Sequence, residues 1–235
     1  MTTSPNVMIY AAMDGWRRQM VRDGQRLLGA ALDLSRHVRR RIDTLPGLHV
    51  LEDELLGVEA SHDLDGLQVL ISVRELGISG YQAADWLRAH CRIDVGLSDS
   101  ERILATLSMA DDASTTDRLC AAIEDLVRAA PSMERAAPVQ MPSPHDLELE
   151  SVDNPRDAFF GKVETVPVEQ AAGRIAAEQV TPYPPGIPVL VPGERITAAV
   201  LDYLRTGLAA GMVLPDPADK TLETIRVTTR GVEQP

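Results

Sequence analysis

Aromatic side chains are scarce in this sequence, at 3% of residues. A core must therefore be assembled mainly from Leu, Val, Ile, Ala and Met. Lysine is scarcer still, with only Lys162 and Lys220. Cysteine is limited to Cys91 and Cys120, without the CxxC spacing of a zinc site or the number a disulfide framework needs. The five histidines, at 37, 49, 62, 90 and 145, form no HExxH pair, so no metal site is expected. GxSxG, Walker and dinucleotide-binding fingerprints are also absent, and no nucleophile and base stand at a recognisable spacing. No apolar run approaches the ~18 residues that a membrane helix requires, and no basic-then-apolar leader is present. A cytoplasmic protein is expected.

What the chain does have is acid. Thirty-five Asp and Glu against 23 Lys and Arg give a formal charge of −12. Nucleic acid and anionic membrane both reward clustered cations, so neither is expected as a partner. An acidic field weakly favours cationic ligands such as basic amino acids or polyamines, and plain solubility accounts for it better. The run Arg39-Arg40-Arg41 reads as a solvated helix end.

With 235 residues, the chain is long enough for one large or two small cores. Ser4-Pro5 signals a helix start, and Ile9, Met13, Trp16, Met20, Leu27, Ala31, Leu34, Val38 and Ile42 form a helical stripe beyond it. Gly24 is a candidate break in that helix. Leu48–Leu51, Leu67–Ser72 and Arg102–Ser108 read as short strands. Ser79-Gly80 opens a helix, and Ser114 to Ala130 forms another. Residues 131–144 hold four prolines and read as a linker. Beyond lie an expected strand around Phe159–Val166, a helix from Ala198 to Ala210 and a strand at Thr224–Thr228. The fold class is α/β (α+β): a long N-terminal helix (1–44), a small α/β domain (45–130), the linker, and a separate C-terminal α+β domain (145–235).

The most distinctive stretch is 181–197, TPYPPGIPVLVPGERIT. Its prolines fix φ and remove backbone donors, so it is neither a helix nor a central strand. It reads as a stiff cleft-lining loop that ends in a Pro192-Gly193 turn and presents Glu194. A carboxylate there can pair with a distal ammonium or guanidinium for ~1.5–3 kcal/mol, or it can cap the following helix. Tyr183 is a candidate wall of the same pocket, or a core tyrosine.

These residues resemble a known family. YPPGIP, then an apolar run and PGE-x-IT, is similar to the C-terminal signature of the pyridoxal-phosphate-dependent ornithine/lysine/arginine decarboxylases, which have an aminotransferase-like fold. Thr2-Thr3-Ser4-Pro5 resembles the family's TTSP segment, and Ala12, Asp14 and Arg17-Arg18 its following helix. The segment 77–85, GISGYQAAD, resembles LGxTGYEAAD. Asp157-Ala158-Phe159-Phe160 and Ala172-Gly173-Arg174-Ile175 resemble DAFF and GRIS. All occur in the family's order.

The resemblance implies that Thr2, Thr3 and Ser4 contact the cofactor phosphate of a neighbouring subunit. It also implies that Glu194, with Tyr183, recognises a basic amino acid. The family's Schiff-base lysine lies in a Ser-x-His-Lys motif shortly before TTSP, and neither Lys162 nor Lys220 follows a histidine. The chain therefore reads as the C-terminal half of such an enzyme, without a catalytic residue of its own and inactive alone. Its expected partner is an N-terminal half that binds pyridoxal phosphate, or a homologous full-length subunit, in a homo- or hetero-oligomer. The 77–85 segment reads as structural, with Tyr81 and Trp86 packing the small domain. Two other readings stand beside this one: a non-catalytic remnant that binds a partner or senses cationic amino acids or polyamines, and the product of a decaying gene that does not fold stably.

Overall fold

In the computed structural model, which describes residues 6–57, 61–183 and 185–229, the first helix starts at Asn6. Its side chain accepts the amides of Met8 (3.0 Å) and Ile9 (3.4 Å). The cap expected at Ser4 lies outside the described residues. Helix α1 runs unbroken from Val7 to Asp43, 37 residues and about 55 Å at 1.5 Å per residue. Gly24 does not interrupt it, since one interior glycine costs only ~1 kcal/mol. From Ala31 onward the apolar stripe is buried, at Ala31, Val38 and Ile42. The same stripe is bare earlier, and Trp16 is 66% exposed.

The buried half of α1 lies on an antiparallel sheet of β1 (His49–Leu51), β2 (Gln68–Ser72), β3 (Leu97–Ser98) and β4 (Arg102–Thr106), in the order β1-β2-β4-β3. Alternation directs Val69, Ile71, Ile103 and Ala105 inward. Helix α3 (Ala113–Ala129), opened by an Asp112–Thr115 capping box, adds Ile123 and Leu126 to this first core. Arg39 fastens α1 to the sheet, donating to Glu52 at 2.8 Å and to the Gln68 carbonyl.

Helix α2 (Gly80–Trp86) is capped by Ser79 and continues as a π-helical turn, Leu87–Cys91. Gly80 is required here, because a Cβ would lie 2.0 Å from the Arg102 carbonyl oxygen. Trp86 packs against the first core as expected, but Tyr81 on the same helix belongs to the second.

That second core is built from the C-terminal elements. Helix α4 (Pro155–Phe160) begins behind an Asn154 cap, so the strand expected from Phe159 starts only at Val163. Strand β5 (Val163–Pro167) pairs antiparallel with β6 (Thr224–Thr228), and α5 (Ala198–Ala209) packs Val200 and Leu204 beside Val166, Leu190, Ile196 and Ile225. Between the cores, residues 131–144 are bound to both sides. Ala136 donates to the Gly77 carbonyl (3.0 Å) and Gln140 to the Thr206 hydroxyl (3.0 Å). No described helix is long and apolar enough to cross a membrane.

Candidate functional site

Three of the sequence motifs come together in the C-terminal part. Ile196 donates to the Arg174 carbonyl (2.9 Å) and Gly173 to the Ile196 carbonyl (2.8 Å), so GRI and PGERIT form one two-stranded ribbon. Gly193, at φ +94°, receives the amides of Val152 (2.9 Å) and Asp153 (3.1 Å) just before α4, which carries DAFF. The approach is so close that a Cβ on Gly193 would stand 2.2 Å from the Asp153 carbonyl oxygen.

Glu194 is half-buried in this ribbon. Its Oε2 accepts the Val191 amide at 2.9 Å across the Pro192-Gly193 turn, which fixes the direction of the carboxylate. It does not cap α5. Thr197 does that, accepting the Val200 amide. Tyr183 sits elsewhere on the proline-rich loop, 56% exposed, and donates its amide to the Val213 carbonyl (2.9 Å). It lines a recess of about 240 Å³ together with Asp85, Arg88 and Gly211, and Glu194 is not part of that recess. Thr2, Thr3 and Ser4 lie outside the described residues.

A larger cleft of about 580 Å³ opens between the two cores. Tyr81 and Tyr203 line it, as do Asp99 and three arginines, Arg74, Arg102 and Arg135. Burial pushes the Tyr81 phenol up to about 12, with the Tyr203 and Asp99 charges adding to the effect. Burial, then Asp99, also raises the Tyr203 phenol. Sequence reading missed this cleft, because its walls come from segments over 130 residues apart and no local pattern marks Arg135.

The described residues do not fit pyridoxal phosphate. Its Schiff base needs an amine inside a cleft, and both lysines, Lys162 and Lys220, are exposed and line neither the cleft nor the recess. No group of three or more metal-ligating side chains occurs among the described residues.

Comparison with known proteins gives the context. Residues 139–217 match the family model described as the Orn/Lys/Arg decarboxylase C-terminal domain. The arginine decarboxylase of Bacillus anthracis is 38% identical over 227 residues, covering 96% of this chain and 46% of that protein. The arginine decarboxylase of Halalkalibacterium halodurans is 39% identical over 228 residues, with the same coverage. The chain thus spans about half the length of the curated relatives it matches. The structure of the constitutive lysine decarboxylase of Escherichia coli shares the fold with a TM-score of 0.68 at 19% identity, over 97% of this chain and 44% of that one.

Proposed function

The chain belongs to the Orn/Lys/Arg decarboxylase family, whose C-terminal domain it carries at 139–217, and from that premise we propose that it works as the C-terminal part of a basic amino acid decarboxylase. The cofactor-binding lysine would come from a region outside these 235 residues, on the same polypeptide or on a partner subunit. Residues 1–44 would lead out of that region, 45–130 and 145–235 would form two domains, and 131–144 would join them.

The observation that carries this reading is the state of α1. Its apolar stripe is covered from Ala31 to Ile42 and bare at Ile9, Met13 and Trp16. An exposed apolar face of that length on an otherwise acidic chain marks a surface that another body covers. Here the body is the cofactor-bearing half. It would sit next to Thr2, Thr3 and Ser4, which would contact the phosphate of a neighbouring subunit's cofactor.

Glu194 would then read the distal cation of the substrate. Its Oε2 is held by Val191, and Oε1 has no intramolecular hydrogen bond among the described residues. Tyr183 would form a wall of the substrate's approach. Arginine is the first substrate to test, because relatives matched over 96% of the chain, the two described above among them, are named arginine decarboxylases.

The test is reconstitution: combine the chain with the cofactor-bearing half of the Bacillus anthracis relative and follow CO₂ release from arginine, lysine and ornithine. Activity that needs both halves supports the reading. A one-to-one complex that decarboxylates none of the three sinks it. The charge of −12 favours a second reading, non-catalytic binding of cationic amino acids or polyamines. Calorimetry that detects no heat with any of them removes that one.

A further inference from the structure

Three arginines line the cleft between the cores, and one of them has no side-chain partner among the described residues. Arg135 lies over Gly77 so closely that a Cβ there would stand 3.4 Å from its Nε. Among the described residues its guanidinium makes no hydrogen bond or ion pair. Arg74 has a single, loose ionic contact, with Glu101 at 3.7 Å.

The carboxylates of the cleft, by contrast, are already engaged. Asp99 accepts the amides of Glu101 and Arg102 at 2.7 Å each, and it faces Arg102 at 3.2 Å. Glu101 is shared between Arg74 and Arg102, the latter at 3.8 Å. A cationic ligand would find no free acid here, whereas an anion would find two under-used guanidiniums. The remaining walls suit an organic body. Tyr81 and Tyr203 present phenols that make no hydrogen bond among the described residues, and Ile78 and Met212 are apolar. A volume of about 580 Å³ lies in the range of small-molecule sites.

We propose that this cleft binds a small organic oxyanion, a carboxylate or a phosphate ester with an aromatic or apolar body. Arg74 and Arg135 would hold the oxyanion, and the two tyrosines would hold the body. The proposal does not depend on decarboxylation, since it concerns a cleft that contains neither Glu194 nor a lysine.

Isothermal titration of the full chain with phenyl phosphate, benzoate, inorganic phosphate and benzamidine tests it. The expected result is saturable binding of an aryl oxyanion with Kd of about 1 mM or tighter, weakening as salt rises. The preferred aryl anion tells phosphate from carboxylate, and inorganic phosphate alone should bind more weakly. Arg135→Gln and Arg74→Gln, both at exposed positions, should each weaken binding about tenfold or more. Ligand binding should also perturb the tyrosine absorbance. Three results would overturn the proposal: no saturable binding of either aryl anion, equal binding of benzamidine, or undiminished affinity in the Arg74→Gln/Arg135→Gln double variant.

Discussion

The hydroxyl of Ser79 donates to the carbonyl oxygen of Ala210 at 2.9 Å, in a fully buried position, and joins the two cores across 131 residues of sequence. Ser79 also accepts the Gln82 amide (3.1 Å) and so caps α2. One side chain thus serves a helix terminus and the seam. Ser79→Ala should remove the cap and strand a buried carbonyl, at a cost of about 2 kcal/mol. Urea unfolding, read as a fall in midpoint at constant slope, measures it.

Two glycines separate backbone strain from steric conflict. Gly173 sits at φ +83° with nothing within 4 Å of a built Cβ, whereas Gly193 sits at φ +94° against the Asp153 carbonyl. Gly173→Ala should cost about 1 kcal/mol and Gly193→Ala at least about 3, because the second must also displace the chain before α4. Equal thermal melts of the two variants would contradict the ribbon described above.

His49 bridges α1 and the turn after β1, through Asp43 at 3.1 Å and Glu54 at 2.5 Å. Hydrogen bonds that the ring donates to Glu54 and then to Asp43 raise its pKa above the ordinary value of 6.5. A raised folded value means that the linkage stabilises the protein below about pH 6.5 and is lost as pH rises through the folded pKa. His49→Gln should therefore be less stable than the parent at about pH 6 and converge with it at alkaline pH, by unfolding midpoints across the range. In the parent, an NMR titration should place His49 above the free imidazole. The Tyr81 phenol, held at about 12, should ionise later than free tyrosine in an ultraviolet titration.

Trp16 offers a direct view of the bare stripe. In a Trp86→Phe background it is the only tryptophan left, and its emission should be that of a solvated indole in the chain alone. Addition of the cofactor-bearing half should shift the emission to the blue. Trp16→Ala should change the chain's own stability by less than about 0.5 kcal/mol while weakening assembly. A large loss of stability would mean that Trp16 is covered from within.

Much of this was legible in the sequence because local chemistry agreed with the fold. Alternating Val and Ile mark β2 and β4, Ser79 marks the start of α2, and Thr224–Thr228 is a strand end to end. β3 escaped because two residues carry no period. The strand expected at Phe159 failed because Asn154-Pro155, a helix start signal, outweighs two aromatics. The sequence places Tyr81 with Trp86 in the first core, yet it packs in the second, against Gly211, where a Cβ would stand 3.0 Å from the Tyr81 Cβ. No local pattern encodes a contact that distant. The same holds for Arg135, whose neighbour Gly77 lies 58 positions away.

The most direct test of the decarboxylase account is the intact mass of the native polypeptide, recovered from its own cells through a tag after Pro235 with whatever co-purifies. The account predicts a longer chain, or a stoichiometric partner, that carries a pyridoxal absorbance. A lone species of 25.5 kDa without cofactor would contradict it.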